Sequence, residues 1–468
     1  MLVVEAPAPY EPERRYILDV VLRDRLGLDW RLEVSQRSDV RLSLEGGDGR
    51  CVVMPDVLFG VPPDQWLGPA SLPRRPLARR EGLPVLFGSD SPGDRLTHAD
   101  GDTIALEVDV LGSCFFMLSR LEEHVVATRD SYGRFPASAS LAHGDGFLRV
   151  PIVDRYVDVL WAALARLWPQ LERPVRSYRV MLTHDVDDPL ASLGRTAKQL
   201  ALQLGADAVV RRDAALALRR VRSWVGRRRG DHRRDPYNTF DFLMDVADRH
   251  GIAATFNFMA ADGPPLADDV RYGLDDAWIA ALIARIHRRG HEIGFHAVDL
   301  DPDRTVRGFR LLREAAERSG VEQPVWGGRT HYLRWQNPLT WSTWERAGLD
   351  YDVTLAYADE VGFRTGTCHE YRPYDLLERR PLRLTEQPFQ VMDQTLFDYM
   401  RLSEDTALEA TLDIAAECRR HGGVFSLLWH NSFLPAAREK RTYERLVDAV
   451  TAPLAASARG TGGSPRSS

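Results

Sequence analysis

The chain is predicted to be an α/β protein, with a smaller mixed α/β domain followed by a distorted (β/α) barrel. From about residue 176, short apolar runs alternate with helical stretches, which is the pattern of βα units around a parallel sheet. Several of these runs end in His, Asp or Arg, and functional groups collect at the carboxyl ends of parallel strands. The first 150 residues instead contain short β-like runs between Pro- and Gly-rich connections.

Residues 1–150 are the predicted mixed domain, and the sequence does not indicate its function. YILDVVL (16–22) and CVVMPDVLF (51–59) are its clearest strand-like runs. A helix is predicted over 112–130, with Glu122 and Glu123 on a solvated face or in salt bridges rather than in catalysis. Residues 151–175 are predicted to be a connecting helix.

The barrel domain is predicted over residues 176–435, followed by a C-terminal helix and a disordered polar tail in 436–468. Its predicted strands are YRVMLTH (178–184), IAATFNFM (252–259), HEIGFH (291–296), QPVWGGR (323–329), YDVTLAY (351–357), QPFQVMD (387–393) and VFSLLWH (424–430).

An Arg-rich insertion, residues 195–235, separates the first two strands. Much of it is predicted to be amphipathic helix, which makes a solvated basic face the simplest interpretation. The alternative is binding to an anionic substrate, a lipid surface or polyphosphate. Specific nucleic acid binding is not expected, because the charges are not interleaved with a series of aromatic residues. The arginines are Arg211, Arg212, Arg219, Arg220, Arg222, Arg227, Arg228, Arg229, Arg233 and Arg234.

The composition is that of a globular protein with a large core. Hydrophobic residues make up 44% of the chain, and the net charge of −6 gives no overall attraction to nucleic acid or to acidic membranes. The four cysteines match no paired metal-binding spacing and are expected to be reduced. No stretch approaches the roughly 20 apolar residues of a transmembrane helix, and the N-terminus lacks the layout of a secretory signal, so a cytoplasmic protein is expected.

The segment THDVDD (183–188) places three carboxylates directly after an apolar run. Carboxylates repel one another and are costly to desolvate, so such a cluster needs a cation, a substrate or solvent. In extended backbone Asp185 and Asp187 point to the same side, while Asp188 points elsewhere. His184 is expected to pack beside the strand.

Four motifs in order resemble the polysaccharide deacetylase family, of the NodB-homology or carbohydrate esterase type, over roughly residues 175–435. THDVDD is similar to the first motif, GHEIGFH (290–296) to the second, GGRTHYLR (327–334) to the third, and LLWHN (427–431) to the last. The chain looks most like the HDVD-type branch with an appended N-terminal domain of unknown function. The resemblance implies a NodB-type barrel and a metal-dependent hydrolase that removes an acetyl group from an N-acetylated sugar or glycan precursor, in the making of a surface glycan.

The same resemblance implies residue roles. Asp185 is the general base, Arg329 pairs with it, and His430 protonates the leaving amine. Asp187 and His296 are ligands of a divalent cation, most simply zinc. His291 is expected to be structural or exposed.

One departure from the family affects the metal site. The family's second histidine, four residues after the first, is replaced here by Leu300. A catalytic zinc usually has three protein ligands, so another is needed. His331 is the preferred candidate, with Asp299 and Asp301 as alternatives that otherwise belong to a turn closed by Pro302.

Substrate contacts are expected from the third motif and from a loop. The resemblance implies that backbone N–H groups around His331 and Tyr332 help to stabilise an oxyanion. Arg334 could bind a substrate carboxylate or phosphate. Residues 351–376 are predicted to form a loop over the strand ends, where Tyr357 and Arg364 contact sugar hydroxyls or a ring.

Two other functions remain open. DVD is also the DxD pattern with which glycosyltransferases hold a cation on a nucleotide sugar, and the Arg-rich insertion would then serve the phosphates. The second is a degenerate deacetylase-like protein that binds a glycan without hydrolysing it, for which Leu300 is the main argument.

Overall fold

A computed structural model of the chain describes residues 1–47, 49–191, 193, 201–202, 204–205, 214–227, 231–261 and 272–460. It contains a six-stranded mixed sheet followed by an eight-stranded sheet. Each sheet has its own large hydrophobic core. The predicted fold class is therefore confirmed.

The first sheet has the strand order β2-β1-β3-β4-β8-β7 and contains both parallel and antiparallel pairs. Strands β5 and β6 form a separate hairpin. The strands of this domain are β1 Leu2–Ala6, β2 Trp30–Val34, β3 Asp39–Leu44, β4 Cys51–Pro55, β5 Ala78–Arg80, β6 Leu83–Val85, β7 Thr97–Asp100 and β8 Thr103–Leu106. Its helices are α1 Glu11–Leu18, α2 Val110–Leu118, α3 Leu121–Val125, α4 Leu141–Gly144 and α5 Ile152–Leu167.

The prediction of a strand at YILDVVL is wrong, because α1 and the π-helical segment Asp19–Arg25 cover it. The buried residues there include Ile17, Val20 and Val21, which recur at helical spacing. A proline in the first turn favours a helix start at this point. A short apolar run does not by itself distinguish a strand from a buried helix.

Helix α5, predicted as a connector, belongs to the first core. Its apolar face, including Tyr156, Leu160 and Leu164, is fully buried there, and the helix packs against α2. The first core consequently extends past residue 150 to Trp168.

The second sheet has the order β16-β13-β12-β11-β10-β9-β18-β17, and all its neighbouring strands are parallel. Their carboxyl ends therefore meet at one edge. The strands are β9 Arg179–Val186, β10 Thr255–Ala260, β11 Glu292–Ala297, β12 Gly327–Thr330, β13 Tyr351–Asp352, β16 Thr385–Glu386, β17 Val391–Met392 and β18 Val424–Leu428, with β14 Tyr374–Asp375 and β15 Arg380–Pro381 as a hairpin. The helices are α6 Ala214–Arg227, α7 Phe240–Arg249, α8 Ala277–Arg288, α9 Pro302–Arg318, α10 Leu339–Ala347, α11 Glu404–Arg420 and α12 Ala437–Gly460.

The segment 353–373 does not form an open loop over the strand ends, and that prediction is corrected. The segment is almost entirely buried and hydrogen-bonds to the N-terminal domain. The N–H of Phe363 donates to Leu148, that of Val153 donates to Gly366, and that of Cys368 donates to the Asp154 carboxylate. The segment is thus part of the contact between the two domains.

The Arg-rich insertion is only partly described. Arg211, Arg212, Arg228 and Arg229, and the tail 461–468, lie outside the described residues. Helix α6 forms within it, but of its described side chains the buried ones are Arg220 and Ser223, while Leu218, Val221 and Val225 are exposed. Arg219 donates to the carbonyl of Pro435 and Arg220 lies over the ring of Tyr237, so these two arginines pack against the barrel domain.

Among the described residues, no helix is both long enough and apolar enough to span a membrane.

Candidate active site

Three candidate metal ligands meet at the carboxyl edge of the second sheet. Asp187 directly follows β9, His296 lies in β11 and His331 directly follows β12. One ligand atom from each lies within 4.8 Å of the other two. Nε2 of His296 is 3.1 Å from Oδ1 of Asp187. Nε2 of His331 is 3.8 Å from Oδ2 of the same carboxylate.

The donor atoms of this group fit a divalent cation. Nδ1 of His296 is 3.1 Å from the carbonyl oxygen of Arg329, which can only accept, so Nδ1 carries a hydrogen. Nε2 of His296 and Oδ1 of Asp187 are both buried and face each other without hydrogen-bond geometry. Two electron-rich atoms placed in this way need a proton or a cation between them, and one carboxylate with two imidazoles is a common set for catalytic zinc.

The pKa values of the three candidate ligands are shifted by burial and by their neighbours. Burial depresses the pKa of His331 to about 3, which keeps its imidazole neutral. Burial opposes ionisation of Asp187, but at the low pH where this carboxyl titrates His331 and His296 are charged, and they hold its pKa below the usual range. Burial also opposes charge on His296, yet Asp185 and Asp187 raise its pKa. A proton on His296 would therefore compete with a cation for this position.

The two alternative ligands lie in the turn before α9. Asp301 caps that helix by accepting from the N–H of Arg304 at 2.9 Å. Asp299 pairs with the Arg304 side chain at 2.9 Å. His331, from the strand next to β11, is the residue that approaches Asp187.

Asp185 is buried beside the metal group and is held on one side. Its Oδ1 accepts from Nδ2 of Asn257 at 2.8 Å and lies 3.3 Å from Nε of Arg329. Its Oδ2 is 3.7 Å from Nε2 of His296. Burial raises the pKa of Asp185, but Arg329 and His296 outweigh this and lower it overall. The predicted pairing with Arg329 is present, and it leaves Oδ2 directed toward the candidate ligands.

Arg329 is itself fixed from several directions. Its Nη2 donates to the hydroxyl of Thr183, and its guanidinium lies 4.6 Å from the ring centroid of Phe389. The side chain is fully buried. The fork of Arg329 therefore sets the position of Asp185 rather than reaching into solvent.

His430 approaches the same group from β18. Its Nε2 is 3.5 Å from Oδ2 of Asp187, and its Nδ1 is 2.8 Å from Oδ1 of Asp393. The other oxygen of Asp393 accepts from the backbone N–H of His430 at 2.6 Å. Burial disfavours charge on His430, but Asp393 outweighs it and raises the pKa to about 10. Asp393 thus orients the His430 imidazole and favours its protonated form.

Asp393 and Asn257 were not predicted as site residues. Asp393 ends the predicted strand QPFQVMD, and this polar residue at a strand end was the available signal. Asn257 is the one polar residue within the apolar run FNFM, and it faces Asp185. Both residues orient catalytic candidates.

The remaining histidines of the first two motifs are structural. His184 is fully buried, its Nδ1 is 2.8 Å from the carbonyl of Trp429, and burial lowers its pKa to about 3. Nδ1 of His291 accepts from the N–H of Ala254 at 3.1 Å. These contacts agree with the packing roles expected for both.

The predicted substrate contacts divide into two groups. Tyr332 and Arg334 lie at the mouth of the site, and Arg334 donates to the carbonyl of Val298 at 2.7 Å. Tyr357 and Arg364 are buried at the domain contact, where Arg364 binds Glu123 of the first domain at 2.6 and 2.8 Å. A substrate-binding role for Tyr357 and Arg364 is therefore corrected, because the segment that carries them is packed between the domains.

Residues 2–169 match a family of unknown function, DUF7033. A search of curated proteins gave no match.

Three solved structures are similar to the chain at low identity. A putative polysaccharide deacetylase from Mycobacterium smegmatis is 18% identical, with 63% of this chain and 94% of that chain covered and a TM-score of 0.39. PuuE allantoinase is 12% identical, with 59% and 85% covered and a TM-score of 0.36. A probable polysaccharide deacetylase from Pseudomonas aeruginosa PAO1 is 13% identical, with 58% and 85% covered and a TM-score of 0.36.

Proposed function

We propose that the chain is a metal-dependent amide hydrolase that removes the acetyl group from an N-acetylated sugar or glycan precursor. The reaction class is argued from the site, and the sugar substrate from the resemblance of the four motifs. One observation carries the proposal: Oδ2 of Asp185 lies 3.7 Å from Nε2 of His296, and Nε2 of His430 lies 3.5 Å from Oδ2 of Asp187, so both groups border the candidate metal site. The pKa of Asp185 is lowered by Arg329, and that of His430 is raised by Asp393. A pair of titratable groups with separated pKa values is the arrangement that supplies a base and an acid at one pH.

The role of each residue follows from which of its oxygen or nitrogen atoms is not already held by a neighbouring side chain. A divalent cation held by Asp187, His296 and His331 would acidify a water molecule and neutralise charge on the amide oxygen. Oδ2 of Asp185 accepts the proton of the attacking water, because Oδ1 is held by Asn257 and Arg329. Nε2 of His430 donates its proton to the leaving nitrogen as the carbon–nitrogen bond breaks, so the products are acetate and the free amine.

The two alternative functions fit the site less well. A DxD glycosyltransferase needs its carboxylates to reach a nucleotide-bound cation, but Asp185 is buried and held by Asn257 and Arg329. A degenerate binding protein was suggested by the loss of histidine at Leu300. His331 supplies an imidazole from the neighbouring strand instead, which removes the main reason for expecting an inactive site.

Metal binding is the first test. Wild-type protein is expected to hold one zinc or similar ion, and Asp187→Ala, His296→Ala and His331→Ala are each expected to lose it, because two protein ligands do not make a stable site. The measurement is metal content by mass spectrometry after supplementation and desalting. Asp301→Ala, which removes a helix cap outside the site, is the matched control and keeps its metal. A wild-type protein that stays free of metal would refute the proposal.

The pH dependence tests the acid. Asp393 raises the pKa of His430, so Asp393→Asn is expected to lower it. The acid form of His430 is then lost at a lower pH, and the basic limb of the kcat/KM profile for acetate release moves toward lower pH. Asp405→Asn, an exchange on the exposed surface, leaves the limb in place. An unshifted limb in Asp393→Asn would mean that another group is the acid.

A further inference from the structure

A loop of the N-terminal domain, residues 130–134, reaches the mouth of the candidate active site. Its Tyr132 packs on Tyr332 with ring centroids 5.2 Å apart. Tyr332 in turn stacks on His331, with centroids 3.8 Å apart and planes at 29°. A continuous ring stack therefore runs from the first domain to a candidate metal ligand in the second.

The loop is held in one conformation by its own polar contacts. Oδ1 of Asp130 accepts from the backbone N–H groups of Tyr132 and Arg134, at 2.9 Å each. Oδ2 of Asp130 accepts from Nε of Arg134 at 2.7 Å. Gly133, at φ 78°, takes the left-handed conformation that the tight turn requires. A loop built in this way presents Tyr132 at a defined position.

The same loop contacts a second segment of the barrel domain. Nη2 of Arg134 donates to the hydroxyl of Tyr399 at 3.1 Å, and the guanidinium lies over the rings of both Tyr132 and Tyr399. Tyr399 ends the helical segment Thr395–Tyr399, which begins two residues after Asp393. Loop 130–134 thus touches two segments of the barrel domain: Tyr332, which is next to His331, and Tyr399, which is six residues beyond Asp393 in the chain.

The rings of Tyr132 and Tyr332 pack against protein groups on the surface of the molecule. Tyr332 is flanked by His331 and Tyr132, and Tyr132 by Tyr332 and Arg134, so the ring faces are already in contact with protein. Tyr332 also has φ 61°, a left-handed conformation that is strained for a non-glycine residue and persists where packing enforces it. Tyr132 is 48% exposed and Tyr332 is 39% exposed, so the stack contributes little to either core.

We infer that loop 130–134 belongs to the active site and that Tyr132 is a positioning residue for the metal. Tyr132 holds Tyr332 in its left-handed conformation, and Tyr332 holds the His331 imidazole at Asp187. The N-terminal domain thereby completes the metal site without supplying a ligand. The inference rests on the proposed metal-dependent function.

The test is the zinc affinity of the full-length chain, measured by competition with a chromophoric chelator. Loss of a residue that contacts and orients a ligand costs about 10–100-fold in metal affinity. Tyr132 acts through Tyr332 rather than on His331 directly, so Tyr132→Ala is expected to bind zinc about tenfold more weakly than wild type, at the lower end of that range. Tyr132→Phe keeps the ring and is expected to bind as wild type does. Val34→Ala, at an exposed position on β2 of the same domain, is the matched control and also binds as wild type.

A double-substitution cycle shows whether Tyr132 acts through Tyr332. In a Tyr332→Ala background, Tyr132→Ala is expected to cause no further loss of zinc affinity, because contacting residues are not additive. Equal losses in both backgrounds would overturn the inference, and so would wild-type affinity in Tyr132→Ala alongside lost binding in His331→Ala. Absence of zinc binding in the wild type itself would instead refute the proposed function, and the inference with it.

Discussion

Asp185→Asn is expected to abolish most acetate release while leaving the bound metal in place. Asn has the same shape as Asp but cannot take up a proton, and removal of a general base costs about 10²–10⁴-fold in rate. Asp187, rather than Asp185, belongs to the group of candidate ligands, so stoichiometric zinc should remain. The measurement pairs steady-state release of acetate from N-acetylated sugars with the metal content of the same preparation.

The same exchange at Asp187 is the comparison for Asp185→Asn. Asp187→Asn is expected to lose both activity and metal, so the two exchanges separate a base from a ligand although they stand two residues apart. Asp185→Asn that retains wild-type turnover, with metal bound, would assign the base to another residue. Asp185→Asn that loses its metal would show that Asp185 is itself a ligand.

The barrel and most of the candidate site were predictable because their signals are local. Strand ends that carry His, Asp or Arg appear directly in the sequence, and parallel strands bring those ends to one edge. The positions of Asp185, His296 and His430 at the ends of β9, β11 and β18 follow from this rule. The pairing of Asp185 with Arg329 was expected from the motif resemblance and is present in the structure.

The contacts that escaped prediction depend on strand order and domain packing. Asp393 orients His430 because β17 lies beside β18. The spacing of the motifs along the chain does not predict this strand order. Arg364 looked like a substrate contact because its segment is polar. Its partner Glu123 is 241 residues away in the chain, and a local charge pattern cannot reveal such a partner. Glu122 and Glu123 form salt bridges, which is one of the two roles expected for them, but for the same reason their burial was not predicted.

The contact between Glu123 and Arg364 is a fully buried ion pair that joins the two domains. Glu123 accepts from Nε and Nη2 of Arg364 at 2.8 and 2.6 Å and from Nε of Arg120 at 3.0 Å, and all three side chains are fully buried. Glu123→Gln keeps the size of the side chain but removes the charge that offsets two buried guanidinium groups. Removing one partner of a buried ion pair costs about 3–5 kcal/mol in the free energy of unfolding.

The matched control is Glu11→Gln, which removes an exposed partner of Arg15 in the same domain and is expected to cost about 1 kcal/mol or less. Urea denaturation at pH 7 measures the free energy of unfolding of both variants.

Burial raises the pKa of Glu123, but Arg364 and Arg120 outweigh it and lower the pKa overall. The stabilisation by Glu123 is therefore complete above the unfolded pKa of about 4.3 and is lost as the pH falls through the folded value. The difference in unfolding free energy between wild type and Glu123→Gln should therefore shrink as the pH is lowered. A difference that stays constant down to acid pH would show that the charge of Glu123 does not hold the two domains together.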